Sequence, residues 1–217
     1  ALLLLTAIRG DLLDAWRRAV PREAPNRFVI NIQPEQVAPV RAALTAQGLS
    51  PELAPMVRGR LTRINGVEVS AASYSDDRAQ RLIDREFNLS MRAGLPEGNR
   101  LSAGRWFSSA DLAGDGDDGA ASVEDGLAKT LGLGVGDRIE FVVAGEAIRL
   151  RVVGLRKVNW DTMRANFFVL TPPVVLDGYP ASWITSFYLA PEKADFVNRL
   201  IGEFPNLPVI DVAAILR

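Results

Sequence analysis

Neither cysteine nor histidine occurs anywhere in the 217 residues. Without cysteine there are no disulfides, no thiolate metal sites and no thiol nucleophile. Without histidine, Ser-His-Asp and Cys-His catalysis is excluded, and the commonest general base and metal ligand are gone. Lysine is nearly absent: Lys129, Lys157 and Lys193 are the only three, which leaves little material for Ser-Lys chemistry. Long apolar runs are missing too. The four leucines at positions 2–5 fall far short of the roughly 20 apolar residues that span a bilayer. No charged leader with a cleavage site marks a signal peptide. The net charge of -1 sets up no basic field, so no nucleic-acid partner is expected, although Arg58, Arg60 and Arg63 cluster locally.

What is present is the balance of a folded protein. Hydrophobic residues make up 48% and charged residues 24%, too apolar and too neutral for intrinsic disorder. The length suits one large domain or two small ones. Leu5, Ile8, Leu12 and Trp16 share a stripe and predict an N-terminal helix over residues 1–20. That helix reads either as amphipathic or as the continuation of a membrane helix. Pro21 and Pro25 break it. Phe28, Ile30 and Ile32 then alternate on one face of a strand. Val37, Val40 and Leu44 predict a helix that ends at Gly48, with Pro39 at its start or at a bend. Asn65-Gly66 supplies the positive φ angles of a type I′ hairpin turn between extended runs at 57–61 and 67–69.

The far end repeats this theme. A strand over 184–189 leads through Pro191 into a helix carrying Phe196, Val197, Leu200, Ile201 and Phe204. Another short strand follows at 207–212. Two strand-helix-strand units closing one antiparallel sheet make an α+β fold, a ferredoxin-like βαβ…βαβ layer with helices on one face. The middle differs. The small, acidic, Gly-rich stretch at 111–121 predicts a mobile loop. Ser122 with Asp125 has capping-box spacing, and Gly132 closes the short helix between them. A turn at 134–137 leads to a second hairpin, with strands at 139–143 and 148–153. The expected organisation is therefore an α/β layer over 21–100 and 166–217, interrupted by a β-rich insert over 101–165.

Motifs for chemistry fail on inspection. Asp115, Asp117 and Asp118 do not fit a calcium loop, because positions five and twelve of that frame are Gly119 and Gly126. Gly132, Gly134 and Gly136 follow a helix and lead into a strand, the reverse of a dinucleotide fingerprint, and no Walker A lysine is present. Acid pairs such as Glu23 and Glu35, or Asp84 and Glu86, have no spacing that forces them into one cleft. No Gly-x-Ser-x-Gly elbow occurs. No catalytic, metal or cofactor-binding residue is assigned, and no cofactor is expected. The unusual stretch is residues 159–168, where Trp160, Met163, Phe167 and Phe168 sit beside Arg164 and asparagines. Such groups are either subdomain packing or a contact for a partner or substrate.

Several segments resemble the YbbP-like ABC permeases, within the wider MacB and lipoprotein-release type (the FtsX-like permeases). They are Asp11-Leu12-Leu13 with Trp16, then the run from Ala24 through Asn31-Ile32-Gln33-Pro34. Further matches are Val57-Arg58-Gly59-Arg60-Leu61 with Ile64-Asn65-Gly66, Arg85-Glu86-Phe87-Asn88-Leu89-Ser90 and Leu95-Pro96-Glu97-Gly98-Asn99. Ser122-Val123-Glu124, Val135-Gly136-Asp137 and the run at 158–170 complete the set; the loop at 111–121 is the least similar part. The resemblance implies a periplasmic domain of the MacB core type, its α/β layer porter-like, lying between the first and second membrane helices of an inner-membrane permease. It also implies a cytoplasmic ABC ATPase partner, a hydrophobic or lipidic substrate or a periplasmic protein partner, and no catalytic residues. A stand-alone ligand-binding module with a cleft between its two parts is the other expectation.

Overall fold

The computed structural model describes residues 23–215. The helix expected over residues 1–20 lies outside them. Among the described residues, eleven strands run in the order β11-β1-β10-β2-β4-β9-β6-β8-β5, ending at β5 (Asn99–Gly104), with β3 paired to β2 and β7 paired to both β2 and β8. Two groups of these strands have separate cores.

The first group contains β1 (Arg27–Ile32), β10 (Ser182–Phe187), β11 (Val209–Asp211) and the opening residues of β2 (Ala54–Ile64). β1 lies between β10 and β11, and β10 pairs with residues 54–56 of β2, all antiparallel. Helices α1 (Val37–Ala46) and α2 (Asp195–Glu203) cover this layer, and Val40, Leu44, Phe196 and Leu200 fill the core with Val29 and Ile32. The expected alternation of Phe28, Ile30 and Ile32 is corrected here: Val29 and Ile32 are the buried pair. The register slips between those two residues, and Asn31 takes φ 60°. An asparagine tolerates that left-handed bulge conformation, which turns Ile32 back to the side Val29 occupies. On α2, Phe196 and Leu200 are buried, whereas Ile201 faces outward at 40% exposure.

The second group closes on itself. β2 pairs with β4 (Phe87–Met91), β4 with β9 (Val169–Thr171), β9 with β6 (Gly119–Glu124), β6 with β8 (Glu146–Val158), β8 with β7 (Arg138–Val143), and β7 returns to β2. Closure gives every strand in the ring two partner strands. Val57, Leu89, Val123, Phe141, Leu150 and Val169 belong to its core, with Phe87 and Phe141 in edge-to-face contact at 6.0 Å. Strands from 54–91 and 169–171, outside the expected insert at 101–165, complete this ring.

Both hairpins form as the sequence predicts. Asn65 and Gly66 take φ 51° and 79°, and Ile64 pairs with Val67 at the start of β3 (Val67–Glu68). Ala144 and Gly145 take φ 49° and 81° between β7 and β8. The expected loop at 111–121 is different. Residues Ser109–Ala113 are helical, and Gly119, Ala120 and Ala121 lie inside β6, with Ala121 wholly buried. Small residues fit there because a Cβ on Gly119 would meet Leu150 and Val175 at about 3 Å. Asp118, just before the strand, is held by Arg138 at 3.0 Å and Arg151 at 3.7 Å. The helix Asp125–Leu131 is capped by Glu124, whose carboxylate accepts from the Gly126 and Leu127 amides, and not by Ser122. Ser122 is wholly buried in β6 and serves another partner. Gly132 ends that helix in a left-handed turn, as expected.

Candidate functional site

Strand β8 shows how the 159–168 loop is positioned. Ile148, Leu150, Val152, Gly154 and Arg156 occupy its buried phase in turn. A strand sends alternate side chains to one face, so Arg156 follows the aliphatic residues inward. It is fully buried. Its Nε donates to Ser122 Oγ at 3.1 Å, Nη1 to Asn99 Oδ1 at 2.9 Å and Nη2 to the Phe167 carbonyl at 2.6 Å. Burial pushes its pKa down to about 10, partly opposed by the Glu124 carboxylate, so it stays protonated at neutral pH. A charged group this deep is tolerated because several of its fixed donors find acceptors.

The loop is pinned from several sides. Asn99 Nδ2 donates to Asn166 Oδ1 at 3.0 Å, and the Glu124 amide donates to the Phe168 carbonyl at 2.8 Å. The Asn159 amide donates to Gly98 O at 3.1 Å. Asn159 also caps the short turn Trp160–Thr162, after which Met163 takes φ 55°. A methionine held in that left-handed region is uncommon.

These contacts separate the four residues that the sequence singles out. Trp160 is 46% exposed and stacks obliquely on Phe168 with ring centres 5.4 Å apart. Phe168 is half-buried and packs on the core of the closed ring, and Met163 is half-buried. Phe167 points elsewhere. It is 8% exposed and shares a third cluster with Phe107, Ala120 and Leu170, joined by Met56 and Ile184. That cluster brings β10 of the first group against strands of the second.

Beside it lies a cleft of about 570 Å³. It opens where β2 begins. Ile184 pairs with Ala54, so residues 186–188, the end of β10 and the residue after it, run past the start of β2. Leu89 pairs with Val57, so residues 90–92 run alongside residues 56–54 on the other side. Pro51, Glu52 and Leu49 leave this fork as a loop, and the cleft forms between the diverging strands. Its apolar lining includes Met91, Phe167, Leu170 and Phe187. An ion pair crosses it: Arg92 Nη1 lies 3.0 Å from Glu52 Oε2, joining the residues after β4 to those before β2. Arg164 pairs with Glu97 at 2.8 Å on the same rim. Glu52 and Arg92 lie in no segment that the sequence singles out, and Glu97 lies in the matching run Leu95–Asn99 without a role being read for it. They meet only through the fold, over separations that no local pattern encodes.

The similarity that bears on identity is to one curated transporter permease. No family model matches the chain. It is 39% identical over all 217 residues to the uncharacterized ABC transporter permease YbbP of Escherichia coli (strain K12). The chain spans only 25% of that relative's length. A solved structure of a domain of a candidate permease protein from Porphyromonas gingivalis aligns with 85% of this chain and 88% of its own, at TM-score 0.39 and 11% identity. Among the described residues, no helix is long and apolar enough to cross a membrane. Over its whole length, the chain is similar to one segment of that ABC transporter permease.

Proposed function

We propose that the chain is the periplasmic domain of an inner-membrane ABC permease, lying between its first and second membrane helices. It is non-catalytic. ATP is hydrolysed by a cytoplasmic ATPase partner, and the domain turns membrane-helix movement into movement or handling of a hydrophobic or lipidic substrate outside the membrane. In this reading the first strand group is a porter-like, ferredoxin-like layer of the MacB core type, and the closed ring is its β-rich companion.

One observation carries the mechanical part. Strand β2 belongs to both groups: residues 54–56 pair with β10, and residues 57–59 pair with β4. Two packed bodies sharing one strand, with a cleft where that strand begins, have the parts of a hinge. The ordering of the β11-β1-β10-β2 layer with two helices on it supports the porter-like assignment. The cleft itself favours the second reading, a ligand-binding module, since its volume falls in the ~300–1,000 Å³ range of small-molecule sites.

The test places spin labels at Ser50 and Glu97, both lining the cleft, in the complete permease with its ATPase in nanodiscs. The chain itself contributes no competing cysteine, and cysteines elsewhere in the assembly are replaced before labelling. The proposal expects the label distance to change between nucleotide-free and ATP-bound states. An unchanged distance would leave the ligand-binding module as the better account.

A further inference from the structure

The charges around the cleft are unevenly placed. Five charged residues line it: Glu23, Glu52, Arg92, Glu97 and Arg164. The acidic ones lie outward, with the side chains of Glu52 and Glu97 60% and 77% exposed. Arg164 is 50% exposed. Arg92 is the most enclosed member of the two ion pairs at 31%. Its Nε is buried without a hydrogen-bond acceptor, although Nη1 is engaged by Glu52. An unsatisfied donor on a buried part of a cation is costly, and guanidinium favours a planar anion that accepts from its fork. Its present partner is weakly held, since a pair with so exposed a carboxylate contributes little. Replacing Glu52 by a ligand anion therefore sacrifices little. The neighbouring wall is apolar, built from Met91, Phe167, Leu170 and Phe187.

We propose that this cleft binds an anionic amphiphile, a carboxylate or phosphate head on an apolar body, with Arg92 receiving the head and the Met91–Phe187 wall receiving the body. The inference rests on the reading of the chain as a substrate-handling domain and deepens it by naming the ligand's chemistry. Arg164 supplies a second cation at the mouth, free to swing from Glu97.

The experiment is calorimetric titration of the 217-residue chain with dodecanoate and with dodecyl phosphate, both kept below micelle formation. Dodecyltrimethylammonium serves as the charge-reversed probe. Saturable one-to-one binding of an anionic probe is expected, and whichever head binds more tightly identifies the class. R92Q should weaken binding about tenfold with an unchanged unfolding midpoint, as expected for loss of a charge-assisted contact. R92K should recover part of the affinity, because it keeps the charge and loses the fork. A165W, which fills the cleft and leaves Arg92 in place, should abolish binding. The proposal is overturned if neither anionic probe saturates, if the cationic probe binds as tightly, or if R92Q binds like the parent chain. None of these results bears on the hinge distances, so this inference and the mechanical reading fail separately.

Discussion

The guanidinium of Arg156 lies 2.6 Å from the main-chain carbonyl oxygen of Phe167, and both groups are buried. One side chain on β8 thereby fixes the far end of the loop carrying Trp160, while its other nitrogens hold Ser122 and Asn99. Arg156→Ala would leave three acceptors without their donor, two of them buried. A stability loss of about 3 kcal/mol or more is expected, read as a lower urea midpoint. Arg156→Lys should lie between, since an ammonium cannot reproduce the planar three-way geometry. An unchanged midpoint for the alanine variant would contradict this role.

Trp160 and Phe167 stand in opposite environments although seven positions apart in one loop. Trp160→Ala should change stability by no more than about 0.5–1 kcal/mol, since nearly half of the residue is exposed. In the complete transporter it should reduce transport without lowering ATP turnover, if that ring is a contact surface. Phe167→Ala removes a packed ring from the cluster between the two strand groups and should cost about 3–5 kcal/mol. Comparing unfolding midpoints of the two variants separates packing from contact.

Two glycines differ in what they permit. Gly66 has φ 79° and open space around a notional Cβ, so Gly66→Ala costs only conformational strain, about 1 kcal/mol. Gly154 lies where its strand meets the chain after β5 (Asn99–Gly104), and a Cβ there would clash with the Arg105 carbonyl oxygen. Backbone must move, so Gly154→Ala should destabilise clearly more than Gly66→Ala. Equal losses in thermal unfolding would refute the close approach.

Asp111 gives a pH prediction. Burial pushes its pKa up, but the Arg105 guanidinium and the Ser108 amide and hydroxyl outweigh that and hold it below the usual value. A carboxylate with a depressed folded pKa adds stability above its unfolded pKa of ~3.9 and loses it as pH falls through the folded value. Asp111→Asn should therefore be less stable than the parent at pH 7, and the gap should close on acidification below about pH 4. A gap independent of pH would show that the carboxylate charge is irrelevant there.

Local chemistry was readable in the sequence, and long-range geometry was not. Asn65-Gly66 fixes its own turn through φ preference, and Val40 with Leu44 marks a buried helix face by spacing alone. The strand at 27–32 misleads because the bulge at Asn31 changes the phase of Ile32, and nothing in strict alternation announces a bulge. Residues 119–121 look like loop because they are small, yet smallness is what the crowded centre of β6 requires. Arg156 was detectable in principle, since it sits in the inward phase set by Ile148, Leu150 and Val152. The cleft had no such signal: Glu52 and Arg92 are 40 residues apart and meet only because β2 and β4 pair.

The most direct test of the account is the topology of the complete permease, read from a reporter inserted beside Gly116. That glycine is exposed, has φ 106° and has open space around it, so an insertion there leaves the adjoining β6 intact. The account predicts a signal from the periplasmic side of the inner membrane. A signal from the cytoplasm would contradict it.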